Sequence, residues 1–124
     1  MMRVRIAAAL ALSVLVPLSL LAADVSGRWT AKFDTQLGEQ NYVYEFQVKG
    51  TELTGTATSG AGPATALKNG KSDGTTITFV ETLSVMGMEL AVTYTGKVVS
   101  DDEIQTTRDV GGFAQEQLVA RRAK

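Results

Sequence analysis

The sequence predicts an all-β protein, an eight-stranded antiparallel up-and-down barrel preceded by a signal peptide. Apolar and polar residues alternate with a period of two after residue 23, and no segment has a convincing helical period. Short sequences rich in Gly, Asn and Asp separate the alternating segments, as expected of tight turns. An uncharged apolar run opens the chain, which is typical of an export signal.

The opening run has the three parts of a secretory signal. Arg3 and Arg5 form a basic start, residues 6–23 carry no charge, and small residues precede Asp24. We expect cleavage after Ala23, because small side chains are needed at the cleavage point.

Two domain assignments follow from this cleavage. Residues 1–23 are predicted to be the signal peptide, and residues 24–124 a single β-barrel domain in the periplasm or secreted medium. A lipoprotein is excluded because the chain has no Cys to carry a lipid. The alternative is an uncleaved anchor helix, which Pro17 would kink.

Composition removes much of the usual catalytic repertoire. The 124 residues include no Cys and no His, which excludes disulfides, thiolate metal sites and the commonest general base. The 12 Lys and Arg against 13 Asp and Glu give a formal charge of −1, whereas a nucleic-acid partner needs a basic surface. We therefore expect no catalytic residues, no cofactor, no metal and no nucleic-acid partner.

Eight segments have the alternation of half-buried strands. They are residues 27–34, 41–49, 52–59, 64–68, 75–83, 88–97, 103–110 and 114–122. Turns are expected at Asn69-Gly70 and at Ser72-Asp73-Gly74. Closing the meander into a barrel removes the unpaired edges that invite aggregation. The alternative is a two-sheet sandwich, which the absence of a long crossover connection disfavours.

The strand phases also predict which side chains point inward. The apolar inward set is Trp29, Ala31, Phe33, Tyr42, Tyr44, Phe46, Val48, Leu53, Ala57, Ile77, Phe79, Leu83, Met88, Leu90, Val92, Tyr94, Leu118 and Ala120. Three polar residues share these faces, namely Glu81, Thr106 and Arg108. A buried ionised Glu is costly unless it is paired, and Arg108 is a plausible partner.

These inward polar groups are the candidate ligand site. The predicted ligand-binding residues are Tyr42, Tyr44, Glu81, Tyr94, Thr106 and Arg108. In the functional interpretation they form a polar floor for the head group of a mostly apolar ligand. In the structural interpretation Glu81 and Arg108 are an internal ion pair, or Glu81 faces solvent.

A short motif carries a family resemblance. Gly27-Arg28-Trp29 at the start of the first strand, with Leu53-Thr54-Gly55-Thr56 later, resembles the calycin superfamily of lipocalins and avidins. The chain is also similar to small exported bacterial proteins that share these two motifs and a third, Asp-Gly-x-x-Ile, which lies at residues 73–77 here. The resemblance implies that Gly27, Trp29 and a late Arg are structural, with the Arg packed over an indole that plugs the barrel. Arg122 is the better candidate than Arg121 because it shares the face of the inward residues.

The avidin ligand does not carry over with the resemblance. At the two positions that would hold the ureido group of biotin, this sequence has Ala31 and Ala57. Trp29 is the only Trp, so the tryptophan clamp is also missing.

The expected function is binding without catalysis. We expect a small apolar or amphipathic molecule inside the barrel, and no stable membrane insertion after cleavage. The alternative is a protein partner, as for a periplasmic protease inhibitor, contacted through loops and residues 24–26. Met86 and Met88 at a predicted hairpin tip are candidates for an adaptable rim. A weak isomerase using Glu81 would require that carboxylate to face an accessible cavity.

Overall fold

A computed structural model describes residues 24–36, 38–60 and 62–123. This part of the chain forms nine β-strands. They are β1 (Gly27–Thr35), β2 (Gly38–Lys49), β3 (Glu52–Ser59), β4 (Ala64–Ala66), β5 (Lys68–Ser72), β6 (Thr76–Val85), β7 (Met88–Ser100), β8 (Glu103–Val110) and β9 (Ala114–Arg122). The predicted signal peptide, residues 1–23, lies outside the described residues.

The strands form one closed antiparallel barrel. Apart from β4 and β5, which do not pair with each other, each strand pairs with its chain neighbours, and β9 returns to pair with β1. Both β4 and β5 pair with β3, so these two short strands together make the fourth position of an eight-stranded wall. The predicted eight-stranded barrel is therefore confirmed, and the sandwich alternative is wrong.

One predicted turn is a strand irregularity instead. Asn69-Gly70 lies within β5, where the register with β6 shifts between Lys68 and Lys71. Asn69 has φ of 53°, which kinks the strand as a β-bulge does. At Gly70 a Cβ atom would lie 2.0 Å from the carbonyl oxygen of Leu53, so the two strands approach closely there.

The other predicted turn, at Ser72-Asp73-Gly74, is confirmed. The Asp73 carboxylate accepts hydrogen bonds from the backbone N–H groups of Thr75 and Thr76, at 2.9 and 2.7 Å. An Asp side chain that bonds the backbone two or three residues later stabilises a turn. This turn starts β6.

The core is built by the alternating inward residues. Its buried hydrophobic members are Val25, Trp29, Ala31, Phe33, Tyr42, Tyr44, Phe46, Leu53, Ala57, Ile77, Phe79, Val92, Tyr94, Ile104, Leu118 and Ala120. The prediction for Met88 is wrong, since its side chain is 62% exposed. Met88 follows the two-residue turn Met86-Gly87, whose residues both have positive φ, and at this hairpin tip no core residue covers it.

The two ends of the barrel differ. The Trp29 end holds the first residues of β1 and the last residues of β9, which pair at Trp29–Arg122 and Thr30–Arg121. The opposite end, here called the mouth, holds the β6–β7 and β8–β9 turns. Within the described residues, no helix is long and apolar enough to cross a membrane.

The wall is incompletely paired between β1 and β9. Beyond those two pairs, the described residues of β1 and β9 form no further ladder. A groove of about 920 Å³ lies there and is lined by both strands, with Lys32 and Phe33 from β1 and Gln117 and Leu118 from β9. The barrel is thus closed at the Trp29 end and splayed along this seam towards the mouth.

Candidate ligand-binding site at the mouth of the barrel

The Trp29 end of the barrel is sealed. Trp29 is completely buried, and its indole Nε1 donates a hydrogen bond of 2.9 Å to the carbonyl of Val25. The guanidinium of Arg122 lies 4.5 Å from the centre of the indole ring, within cation–π distance. Val25 is itself buried, so it is not available for the protein contact expected of residues 24–26.

Gly27 makes room for this arrangement. Its φ is 131°, and a Cβ atom there would lie 2.9 Å from Nη1 of Arg122. That nitrogen donates to the carbonyl of Ser26 at 2.9 Å, while Nε donates to the carbonyl of Asp101 at 2.8 Å. The three signature residues, Gly27, Trp29 and Arg122, are thus brought together at one end.

A network of polar side chains crosses the barrel between the Trp29 end and the mouth. Glu81 is 2% exposed and accepts hydrogen bonds from the hydroxyls of Tyr42, at 3.0 Å, and Tyr94, at 2.7 Å. The Tyr44 hydroxyl donates to that of Tyr94 at 3.2 Å. Four of the six predicted site residues are joined in this way.

Arg108 completes the network. Its Nε donates to the Tyr94 hydroxyl at 2.8 Å, and its Nη2 donates to the Tyr42 hydroxyl at 3.1 Å. Nη2 also lies 3.7 Å from Oε1 of Glu81, so the two predicted charges pair. The guanidinium carbon is 5.2 Å from the centre of the Tyr42 ring and 5.3 Å from that of Phe33, which adds cation–π contacts.

Thr106 has a different environment. It is buried, but its hydroxyl makes a long hydrogen bond of 3.4 Å to the carbonyl of Ile104. It is two residues further from the mouth than Arg108 along β8. The structure therefore places Thr106 beside the core and apart from the tyrosine hydroxyls.

Sequence reasoning missed Glu116. It lies directly opposite Arg108 in the β8–β9 ladder, and Arg108 Nη1 donates to its Oε1. Only 10% of its side chain is exposed. The signal was present, because Glu116 shares the period-two phase of Leu118 and Ala120, but its polar neighbours Gln115 and Gln117 obscure the alternation.

Burial keeps the tyrosines of this network neutral. Burial, followed by the nearby Glu81 charge, raises the pKa of Tyr42 to about 12. Burial likewise raises the pKa values of Tyr44 and Tyr94 well above the ordinary value. Burial disfavours the charged form of Arg108, but its interactions with Tyr94 and Tyr42 outweigh this and leave its pKa raised. The network therefore consists of the Arg108 guanidinium, the carboxyl groups of Glu81 and Glu116, and neutral tyrosine hydroxyls.

A cavity of about 440 Å³ opens above this network at the mouth. Its polar floor is formed by Tyr42, Arg108 and Glu116. Its other lining residues are Thr35, Gln36, Gln40, Ser59, Leu83, Ser84, Val85, Leu90, Val110, Phe113 and Ala114. Below the floor the barrel is filled, with a void of only about 10 Å³ among the core side chains around Tyr44 and Phe79.

The six predicted residues thus fall into two groups. Tyr42 and Arg108 line the mouth cavity, whereas Tyr44, Glu81, Tyr94 and Thr106 are not among its described lining residues. Glu81 lies behind Tyr42 and Arg108 and orients them.

In the described part of the chain, no group of three or more acidic side chains is arranged to hold a metal ion. In comparisons with known proteins, no family model, no curated protein and no solved structure matches the chain. The observed architecture is an antiparallel eight-stranded β-barrel with one plugged end and one open end.

Proposed function

We propose that the protein binds a small, partly apolar ligand in the mouth cavity and is not an enzyme. The observation that carries this proposal is the cavity itself, about 440 Å³ with an apolar wall over a polar floor. Small-molecule sites have this size and this combination of many apolar and few polar groups.

The rigidity of the floor supports binding. From below, Glu81 accepts a hydrogen bond of 3.0 Å from Tyr42, and Tyr94 accepts one of 2.8 Å from Arg108. A ligand therefore meets polar groups that are already oriented, which reduces the ordering cost of association.

The proposal includes a relationship of this barrel to the calycins, and the sealed end supports it. In the calycin barrels a Trp from the first strand closes one end beneath an Arg from the last strand. Trp29 and Arg122 have this relationship here, at 4.5 Å. A barrel that is plugged at one end and open at the other presents its cavity to solvent at the mouth.

The test is a titration with N-phenylnaphthylamine, an uncharged dye that fluoresces in apolar surroundings. The protein is expected to bind one dye per chain with saturation. Ala114→Trp introduces a large side chain into the cavity and should weaken binding at least about tenfold. The matched control is Ala91→Trp, on the exposed outer side of β7, which should leave dye binding unchanged.

Two results would contradict the proposal. One is a linear, non-saturating dye signal with the wild-type protein. The other is equal dye affinity in Ala114→Trp and Ala91→Trp when both variants retain the β-sheet circular dichroism spectrum of the wild type.

We further propose that the protein is exported, with residues 1–23 as its signal peptide. The basic start and the uncharged run before Asp24 support this. N-terminal sequencing of the protein recovered from the envelope and medium of its host is expected to start at Asp24. A chain that starts at Met1 in the cytosolic fraction would overturn the proposal.

Protein binding is the second candidate function, and the exposed rim of the mouth favours it. Met86, Met88 and Phe113 are 97%, 62% and 78% exposed, on two hairpins that neighbour each other through the β7–β8 pairing. Exposed apolar side chains grouped in this way are typical of interaction surfaces. A panel of secreted proteases tests the inhibitor form of this function, with loss of inhibition expected in Met86→Ser/Phe113→Ser.

A further inference from the structure

We propose that the polar group of the ligand is a cation that carries N–H donors, such as a protonated amine, bound by Glu116 in the mouth cavity. This inference rests on the proposed ligand-binding function and adds the chemical class of the ligand. It is carried by the charge balance at the cavity floor and by the position of the Glu116 carboxylate.

Three charged side chains lie together at the floor, and their charges do not cancel. Arg108 is the single cation, with Glu81 at 3.7 Å below it and Glu116 hydrogen-bonded to it from the side. The formal charges of these three side chains sum to −1. All three side chains are about nine-tenths or more buried, so solvent screens this charge poorly.

The Glu116 carboxylate is the acidic group that lines the cavity. Among the described lining residues, Arg108 and Glu116 are the charged ones, while Glu81 lies behind the floor. Oε1 of Glu116 accepts the bond from Arg108, and no described residue donates a hydrogen bond to its Oε2. A buried carboxylate oxygen without a donor favours a ligand that supplies one.

Arg108 is a poor site for an anionic ligand in the same cavity. Three of its five N–H groups, one each on Nε, Nη1 and Nη2, already donate to Tyr94, Glu116 and Tyr42. Its charge is also balanced by Glu81. An anion would therefore meet the Glu116 carboxylate without gaining a free guanidinium.

The rest of the wall suits the remainder of such a ligand. Leu83, Val85, Leu90 and Val110 offer apolar surface to a hydrocarbon chain. The exposed ring of Phe113 borders the cavity, and aromatic faces attract ammonium groups. An amphipathic amine matches both the wall and the floor.

The test compares three probes with the same hydrocarbon chain, namely decylammonium, decanol and decanoate, below their micelle concentrations. Each probe displaces N-phenylnaphthylamine from the full-length mature protein. The ammonium is expected to displace the dye at a concentration about tenfold lower than decanol, and decanoate at a higher concentration than decanol.

Glu116→Gln removes the charge and keeps the shape of the side chain. It should abolish most of the preference for the ammonium over decanol, and a β-sheet circular dichroism spectrum equal to that of the wild type shows that the barrel is intact. Glu52→Gln is the matched control, because it makes the same change of charge at an exposed residue near the Trp29 end. This control should keep the wild-type order of the three probes.

The outcomes separate the two proposals. If decanol displaces the dye but the ammonium is no better, or if decanoate is the tightest probe, the cationic class is overturned and the ligand-binding function stands. If the wild-type protein does not bind the dye, the ligand-binding function fails and the inference fails with it.

Discussion

The guanidinium of Arg122 contacts both Trp29, whose ring centre lies 4.5 Å away, and the backbone before it, where Nη1 donates to the carbonyl of Ser26. Trp29 is the first buried residue of β1, and Arg122 is the last residue of β9. This contact therefore joins the first and last strands of the barrel at the position where β1 and β9 pair.

Arg122→Ala is expected to lower the free energy of unfolding by about 2 kcal/mol, because it removes a cation–π contact and several hydrogen bonds to carbonyl groups. Urea denaturation followed by Trp29 fluorescence measures the change. Arg121→Ala is the matched control, since Arg121 is 65% exposed and forms an exposed pair with Glu103. Its effect should stay below about 0.5 kcal/mol. Equal effects of the two variants would show that the indole contact contributes nothing to stability.

The buried charges make a second prediction about stability. Arg108→Met leaves Glu81 and Glu116 without their cation and should lower the free energy of unfolding by about 3–5 kcal/mol. Adding Glu81→Gln removes one of the two uncompensated charges, so the double variant should be more stable than Arg108→Met alone. Urea denaturation or, where the single variant does not fold, the recovery of folded protein measures this coupling. A double variant that is less stable than the single variant would mean that Glu81 does not depend on Arg108.

Alkaline pH is expected to unfold the protein through its tyrosines. All three tyrosines of the chain are buried in the network, and the pKa of Tyr42 is raised from 10.0 to about 12. The unfolded chain loses these protons near pH 10, whereas the folded chain retains them. The stabilisation is therefore complete below pH 10 and is lost as the pH rises towards the folded-state values. The expected loss is about 1.4 kcal/mol per pH unit for each tyrosine.

Tyrosinate absorbance in the near ultraviolet checks this prediction. At about pH 11 the native protein should show little tyrosinate, and the same protein in concentrated urea should show three ionised tyrosines. Full ionisation at this pH with an unchanged β-sheet circular dichroism spectrum would contradict the burial of the hydroxyls.

The sequence predicted the wall and the buried charges because both depend on the two-residue period. That period places Glu81 on the face of Phe79, and barrel closure brings it to Arg108. The bulge at Asn69-Gly70 and the role of Glu116 could not be predicted in this way, because both depend on contacts between strands. Asn69-Gly70 suits a turn and a bulge equally well, and the close approach to Leu53 decides between them. The role of Glu116 appears only when β9 is set in register with β8.

The seam between β1 and β9 gives the last prediction. These strands pair at Trp29–Arg122 and Thr30–Arg121, and beyond these positions the groove separates them. Backbone N–H groups that point into the groove, in residues 31–34 and 115–119, have no ladder partner across it. They should exchange with deuterium faster than the amides of β6 and β7, which are paired over ten consecutive positions. Hydrogen exchange measured residue by residue by NMR distinguishes the two regions. Equal protection on both sides of the barrel would show that β1 and β9 are paired along their whole length in solution, and the groove would then not exist.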